Sequence, residues 1–330
     1  GLTNLLTVAL VGRVLYREAT GIVPFDNLTN NRMTNPMTKA NDTLNNIALQ
    51  VIDLMKENGT QWTKPWKNAV AEYGEPRSAK NRAYTGINRL NLGLVMACAG
   101  YSSPIFGTFK QWKSLGANVK KGSKGIAVIF YSKSMIKDKE TGETKAIPLI
   151  KTFTVFNADQ VENWSGAFLP VETPSIQDWD NILTADQLLN DTTAVINYVS
   201  QNDAFYSPAK DLIQLPKREQ FKNASGFYGT ALHELIHWTG HTSRLERKFG
   251  TRFGSDEYAF EELIAELGAA MLSNITKVDA EPRADHAVYL NSWIQCLSDN
   301  PKAILKAASM AEKASQFVID TTSNIKMRAA

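Results

Sequence analysis

His233-Glu234-Leu235-Ile236-His237 is the stretch on which the reading of this chain turns. In a helix, two histidines four residues apart sit one turn from each other on a single face, so both imidazoles can reach one ion. The intervening glutamate, on the adjacent face, can touch a water bound to that ion. The surrounding residues favour a helix from Phe227 to Trp238: Leu232, Leu235, Ile236 and Trp238 supply apolar side chains for its other faces, and Gly240 stands where it would stop. A helix anchored on those faces would hold its ligands rigidly, as a metal centre requires.

Such a centre needs a third protein ligand and one open position. Cys98 and Cys296 are the only cysteines and form no CxxC, so neither a disulfide framework nor a thiolate metal site is expected, a reducing cytoplasm is favoured, and the ligand must be a histidine or a carboxylate. His241 is the nearer candidate. The spacing HExxHxxGxxH is excluded, because its third histidine would fall at Ser243. The better candidate lies in Glu261-Glu262-Leu263-Ile264-Ala265-Glu266, which resembles the gluzincin pattern of a ligand glutamate followed four residues later by an acid. Glu262 is the expected ligand, Glu266 the carboxylate that orients a ligand histidine, and Glu261 a solvent-facing residue. The expected ion is zinc or another divalent transition metal. Glu234 is the expected general base for peptide hydrolysis, taking a proton from the bound water and passing it to the leaving amine.

The chain has 330 residues, long enough for two domains with cores of their own. Its net charge of +3 conceals a reversal: residues 37–160 carry 18 basic against 9 acidic side chains, residues 161–330 carry 15 against 22. A basic half is the electrostatic footprint of a polyanion binder. Residues 1–36, rich in Asn and Thr, read as an appended, disordered leader; their apolar run from Leu5 to Tyr16 is too short to span a bilayer, and no membrane association is expected. Pro170 and Pro174 mark a linker, giving domains at 37–165 and 175–330.

Helical periodicity predicts helices over 41–58, 87–99, 109–115, 185–201, 256–272 and 302–318, and strands over 126–131, 149–156 and 211–215. The segment Trp62-Thr63-Lys64-Pro65-Trp66-Lys67 reads as a loop, and helices lead into a β-meander. The strand at 211–215 is a candidate edge for pairing with an extended peptide substrate. In the basic half, Lys110 and Lys113 flank Trp112, Lys120, Lys121 and Lys124 follow, and Arg77, Lys80, Arg82 and Tyr84 form a second cluster. Cations for the backbone interleaved with aromatic faces for the bases are what sequence-independent binding of single-stranded nucleic acid requires. No zinc finger, RNP signature or heptad-linked basic region is present.

Taken together, Thr85-Gly86-Ile87-Asn88, Thr108-Phe109-Lys110-Gln111-Trp112, Val155-Phe156-Asn157, Tyr206-Ser207-Pro208 and His233 to His241 make the sequence similar to the ArdC-type antirestriction proteins of conjugative plasmids, which are related to the N-terminal region of some plasmid primases. The resemblance runs from about Leu44 to Leu272. It implies an α+β chain: N-terminal helices with a small antiparallel sheet that bind single-stranded DNA, then a zincin-like metallopeptidase domain similar to SprT-type repair proteases. It implies protection of incoming plasmid DNA from restriction, and a protein substrate that could be a component of the restriction system. The alternative is a strand-binding shield whose metal site is structural. Surface mimicry of DNA would call for a strongly acidic chain, which +3 disfavours.

Overall fold

The computed structural model describes residues 36–137, 144–164, 180–250, 255–278, 287 and 289–322. The leader expected at 1–36, apart from Pro36, and the expected linker prolines lie outside them.

Helix α1 (Pro36–Asn58) buries the periodic stripe Leu44, Ile47, Ala48, Val51, Ile52 and Met55 and gives way at Gly59, whose φ of +55° suits a residue without Cβ. The tryptophan segment expected to be a loop instead starts helix α2 (Lys64–Tyr73), with Pro65 in its first turn. Proline is tolerated there because that N–H has no helical partner. Both Trp62 and Trp66 are fully buried, so their spacing around the proline served packing. Strand β1 (Arg77–Ser78) and helix α3 (Gly86–Ala99) follow. Gly93 of α3 lets α2 approach closely, since a Cβ there would lie 2.3 Å from the Trp66 ring.

Strand β2 (Ile105–Thr108) runs into helix α4 (Phe109–Ser114), which Thr108 and Gln111 close with a reciprocal capping box. Strands β3 (Asn118–Val119), β4 (Ile126–Lys137), β5 (Thr144–Asn157) and β6 (Val161–Glu162) complete this half. The sheet order is β1-β2-β5-β4, with β1 parallel to β2 and the other pairs antiparallel, while β3 pairs with β6. The meander is therefore limited to the β4–β5 hairpin, because β2 inserts beside β5. On the open side of β4, Asn88 Nδ2 donates to Ile129 O at 2.6 Å and its Oδ1 accepts from Ile129 N at 2.8 Å, so one side chain occupies both backbone groups of an edge residue.

In the acidic half, helix α5 (Asp180–Asp191) ends earlier than the helix expected to run to Gln201, and strand β7 (Val195–Val199) takes its place. Thr192, Thr193, Val195 and Ile196 are β-branched, which disfavours helix and suits a pleated strand. Strands β8 (Phe205–Ser207) and β9 (Leu212–Pro216) complete a sheet of order β7-β9-β8. Strand β9 is thus central and paired on both sides, which removes it as the edge for an added peptide strand.

Helix α6 (Ala224–Thr239) carries the histidine motif, and helix α7 (Asp256–Thr276) carries the glutamates. Helix α8 (Leu290–Asp299), which the periodicity did not suggest, and helix α9 (Ala303–Thr321) close the chain. Ala307, Ala308, Ala311 and Ala314 give α9 a buried small-residue face, and Ser315 Oγ donates to Gly268 O of α7 at 3.2 Å. Arg89 of α3 meets Glu312 of α9 at 3.2 Å, and the largest cluster of buried side chains runs without a break from Leu44 and Trp66 to Leu235, Leu263 and Ile304. No helix among the described residues is long and apolar enough to cross a membrane.

Candidate metal centre

Asn223 caps the start of α6, accepting from Gly226 N at 2.8 Å, and every residue from Phe227 to Thr239 is buried. His233, Glu234 and His237 therefore sit on a helix with no freedom to roll. Helix α7 crosses it with Gly268 against Ile236: a Cβ at Gly268 would lie 2.8 Å from Ile236 Cδ1 and 2.9 Å from its Cγ1. That close crossing brings Glu262 up to both histidines.

The two Nε2 atoms are 3.1 Å apart, His233 Nε2 is 3.3 Å from Glu262 Oε2, and His237 Nε2 is 3.4 Å from Glu262 Oε1. Ligands placed tetrahedrally at zinc bond lengths lie about 3.3 Å from one another, so these three donors have the mutual spacing that one ion demands. His241 does not join them; its Nδ1 faces Ser243 Oγ at 2.8 Å and lies 4.0 Å from Asp211.

Each imidazole has its own carboxylate behind it. Glu266 Oε2 stands 3.8 Å from His233 Nδ1, and Glu261 Oε1 stands 3.1 Å from His237 Nδ1. Glu261 was expected to face solvent, yet it is 3 % exposed. Arg247, reaching back from the loop after α6, makes this possible: its Nε and Nη2 donate to Glu261 at 2.9 and 2.8 Å, and it also donates to Thr239 Oγ1 and Ile236 O. Sequence reasoning missed both residues. The available signal was Gly240, where a Cβ would come within 3.0 Å of Arg247, so glycine leaves room for the guanidinium to fold back.

The electrostatics suit a cation. Glu234, Glu261, Glu262 and Glu266 are all buried, with Arg247 as the buried guanidinium among them. Burial alone would lower the His237 pKa, but Glu262 and Glu261 outweigh it and push it up to about 10. Burial alone would raise Glu262, and the two imidazoles instead hold it far below the ordinary carboxylate range.

The basic residues are placed differently. Lys80, Arg82, Lys110, Lys113, Lys120, Lys121 and Lys124 are exposed and Arg77 is half-buried. Tyr84 packs against the second core cluster, and burial pushes its phenol up to about 12. Trp112 is a correction: its ring is fully buried, packs edge-on against Trp164 at 5.0 Å and donates from Nε1 to Phe156 O at 3.0 Å. No face of that ring is open to a base. Phe109, three residues earlier on the same short helix, is 57 % exposed.

Residues 41–156 match the family described as the N-terminal domain of anti-restriction factor ArdC, and residues 183–310 match a zincin-like metallopeptidase family. A DNA primase TraC of Escherichia coli is 34 % identical over 295 residues, which cover 83 % of this chain and 19 % of that protein. The chain therefore spans about a fifth of that relative's length. The crystal structure of the antirestriction protein ArdC from plasmid R388 is similar in its metal-free form, with TM-score 0.69 and 35 % identity over 85 % of this chain and 98 % of that one. Its Mn(II)-bound form has TM-score 0.70 and 33 % identity over 86 % and 99 %.

Proposed function

Because the chain belongs to the ArdC-type antirestriction family, we propose that it protects incoming plasmid DNA from restriction by joining a single-strand-binding half to a metal-dependent peptidase centre. The observation that carries the peptidase reading is the convergence of His233, His237 and Glu262 at one ion's spacing, with Glu234 on the adjacent face of α6. A divalent ion bound there would polarise a scissile carbonyl and lower the pKa of its bound water to about 7. Glu266 and Glu261, behind the two imidazoles, would orient them, and Glu234, next to His233 on α6, would take up and return the proton as general base. Zinc is the expected ion on the donor set, and the Mn(II) held by the R388 relative fits the same oxygen and nitrogen ligands.

With β9 central, the free edges of the three-stranded sheet belong to β7 and β8. We assign the substrate strand to β8. Tyr206 on β8 packs against Phe249 at 5.8 Å between ring centroids, and Phe249 lies 6.2 Å from the His237 ring, so two ring contacts connect β8 to the candidate centre.

Glu234→Ala tests the reading. It should keep the ion and the affinity for single strands, yet fail to protect a transferred plasmid, and a restriction component should persist in the recipient proteome that wild type removes. Full protection by this variant would leave a strand-binding shield as the function. Replacing Lys110, Lys113, Lys120 and Lys121 with Ala should conversely weaken strand binding and leave the ion in place.

A further inference from the structure

Phe130 on β4 and Phe153 on β5 are 48 % and 44 % exposed. Val128↔Phe153 and Phe130↔Lys151 are successive cross-strand pairs on one face of the ribbon, so the two rings and the exposed Lys151 stand side by side. The rings meet edge to face with centroids 5.4 Å apart. Deeper along the same face, Ile126, Val128 and Val155 join Leu92, Val95 and Met96 of α3 in a core cluster, so the patch begins where α3 ceases to cover the sheet.

Charge identifies the occupant. The described pairs on this face, Ile126↔Val155, Val128↔Phe153 and Phe130↔Lys151, carry one exposed cation, Lys151, and no acidic residue. The pairing Thr108↔Val155 also brings the start of α4, with exposed Phe109 and Lys110, to the same end of the sheet, since Val155 and Phe153 are two residues or about 7 Å apart along the strand. Open aromatic faces beside lysines, in the half that carries the positive charge, match the requirements of a single strand.

We propose that Phe130, Lys151 and Phe153 form a base-stacking platform for single-stranded DNA, the rings taking bases and Lys151 a phosphate. The proposal rests on the strand-binding reading of the basic half and says where on that half the bases lie.

The test measures binding of a labelled oligothymidylate to the full chain across a salt series. Phe130→Leu with Phe153→Leu keeps apolar bulk and removes the ring faces; affinity should fall about tenfold per ring while the salt slope is unchanged. Lys151→Ala should instead reduce the logarithmic salt slope by about 0.7. Unchanged thermal midpoint and metal occupancy verify that the variants fold. Wild-type affinity in the double leucine variant would overturn the platform and leave the strand-binding reading intact. A wild type that binds no oligonucleotide would overturn both. A wild-type dimer that the leucine variant turns into a monomer would assign the patch to a second copy and overturn the proposal.

Discussion

Glu261 shows how a single carboxylate can serve both stability and the site. It accepts from Arg247, whose side chain is 2 % exposed, and stands against His237 Nδ1, so replacing it removes a charge partner and the group that orients a candidate ligand together. Glu261→Gln should lower metal affinity about 10- to 100-fold in chelator competition, whereas the exposed Glu257→Gln should leave it unchanged. A second carboxylate sets an acid limit. Arg244 bonds Asp211 and holds its pKa below the ordinary value. The sign follows: the folded state binds that proton less readily than the unfolded chain, so this stabilisation is present above about pH 4 and is lost as pH falls through the folded pKa. Asp211→Asn, which tolerates the φ of +48° at this position, should be less stable than wild type near neutrality, and the gap should narrow in acid melts. The histidine pair was legible because four-residue spacing on a helix fixes geometry, and Glu262, singled out by its likeness to the gluzincin pattern, lies against both imidazoles. Arg247 was not legible, since nothing local distinguishes it from Arg244, which reaches instead to Asp211.

At the scale of elements, the crossing of α6 and α7 decides whether the three candidate ligands meet. Gly268 has no side chain at the contact, and Ile236 fills the space. Ile236 is β-branched and fully buried, so it has little room to move away from an added methyl. Gly268→Ala should therefore cost about 1–3 kcal/mol in denaturant melts and weaken metal binding, because separating the helices moves Glu262 from the histidines. Adding Ile236→Ala should give less destabilisation than the two changes summed, the signature of a shared contact. Helices with a strong apolar period and a clear stop, such as α1 before Gly59, were readable from the sequence. The errors lay where local pattern was followed: Trp62 and Trp66 were read as a loop around Pro65, and 192–199 as the continuation of a helical period, although β-branching in the latter favoured a strand.

Across the whole molecule, length and the prolines at 170 and 174 suggested two domains with cores of their own, but neither says which side chains share a core. Buried side chains from both halves form one cluster, and α9 is wedged between them, its Glu312 on Arg89 and its Ser315 on Gly268. The Arg89–Glu312 contact joins residues 223 positions apart, a separation at which no periodicity can signal a partner. The proposed chemical roles can still be separate, since the basic clusters precede Lys124 or include it and every candidate metal ligand follows Leu232. Unfolding cannot be, because exposing either half's face of the common core removes packing from the other. The full chain should thus melt in one calorimetric transition. An ion bound at His233, His237 and Glu262 should move that whole transition, by about 2.7 kcal/mol at a hundredfold excess over its Kd. Hydrogen exchange should slow in α3 and β5 as well as in α6 and α7, although no ligand lies in the first pair. A second transition, insensitive to metal and confined to residues before Trp164, would mean that the shared apolar surface contributes little and that the two halves open separately.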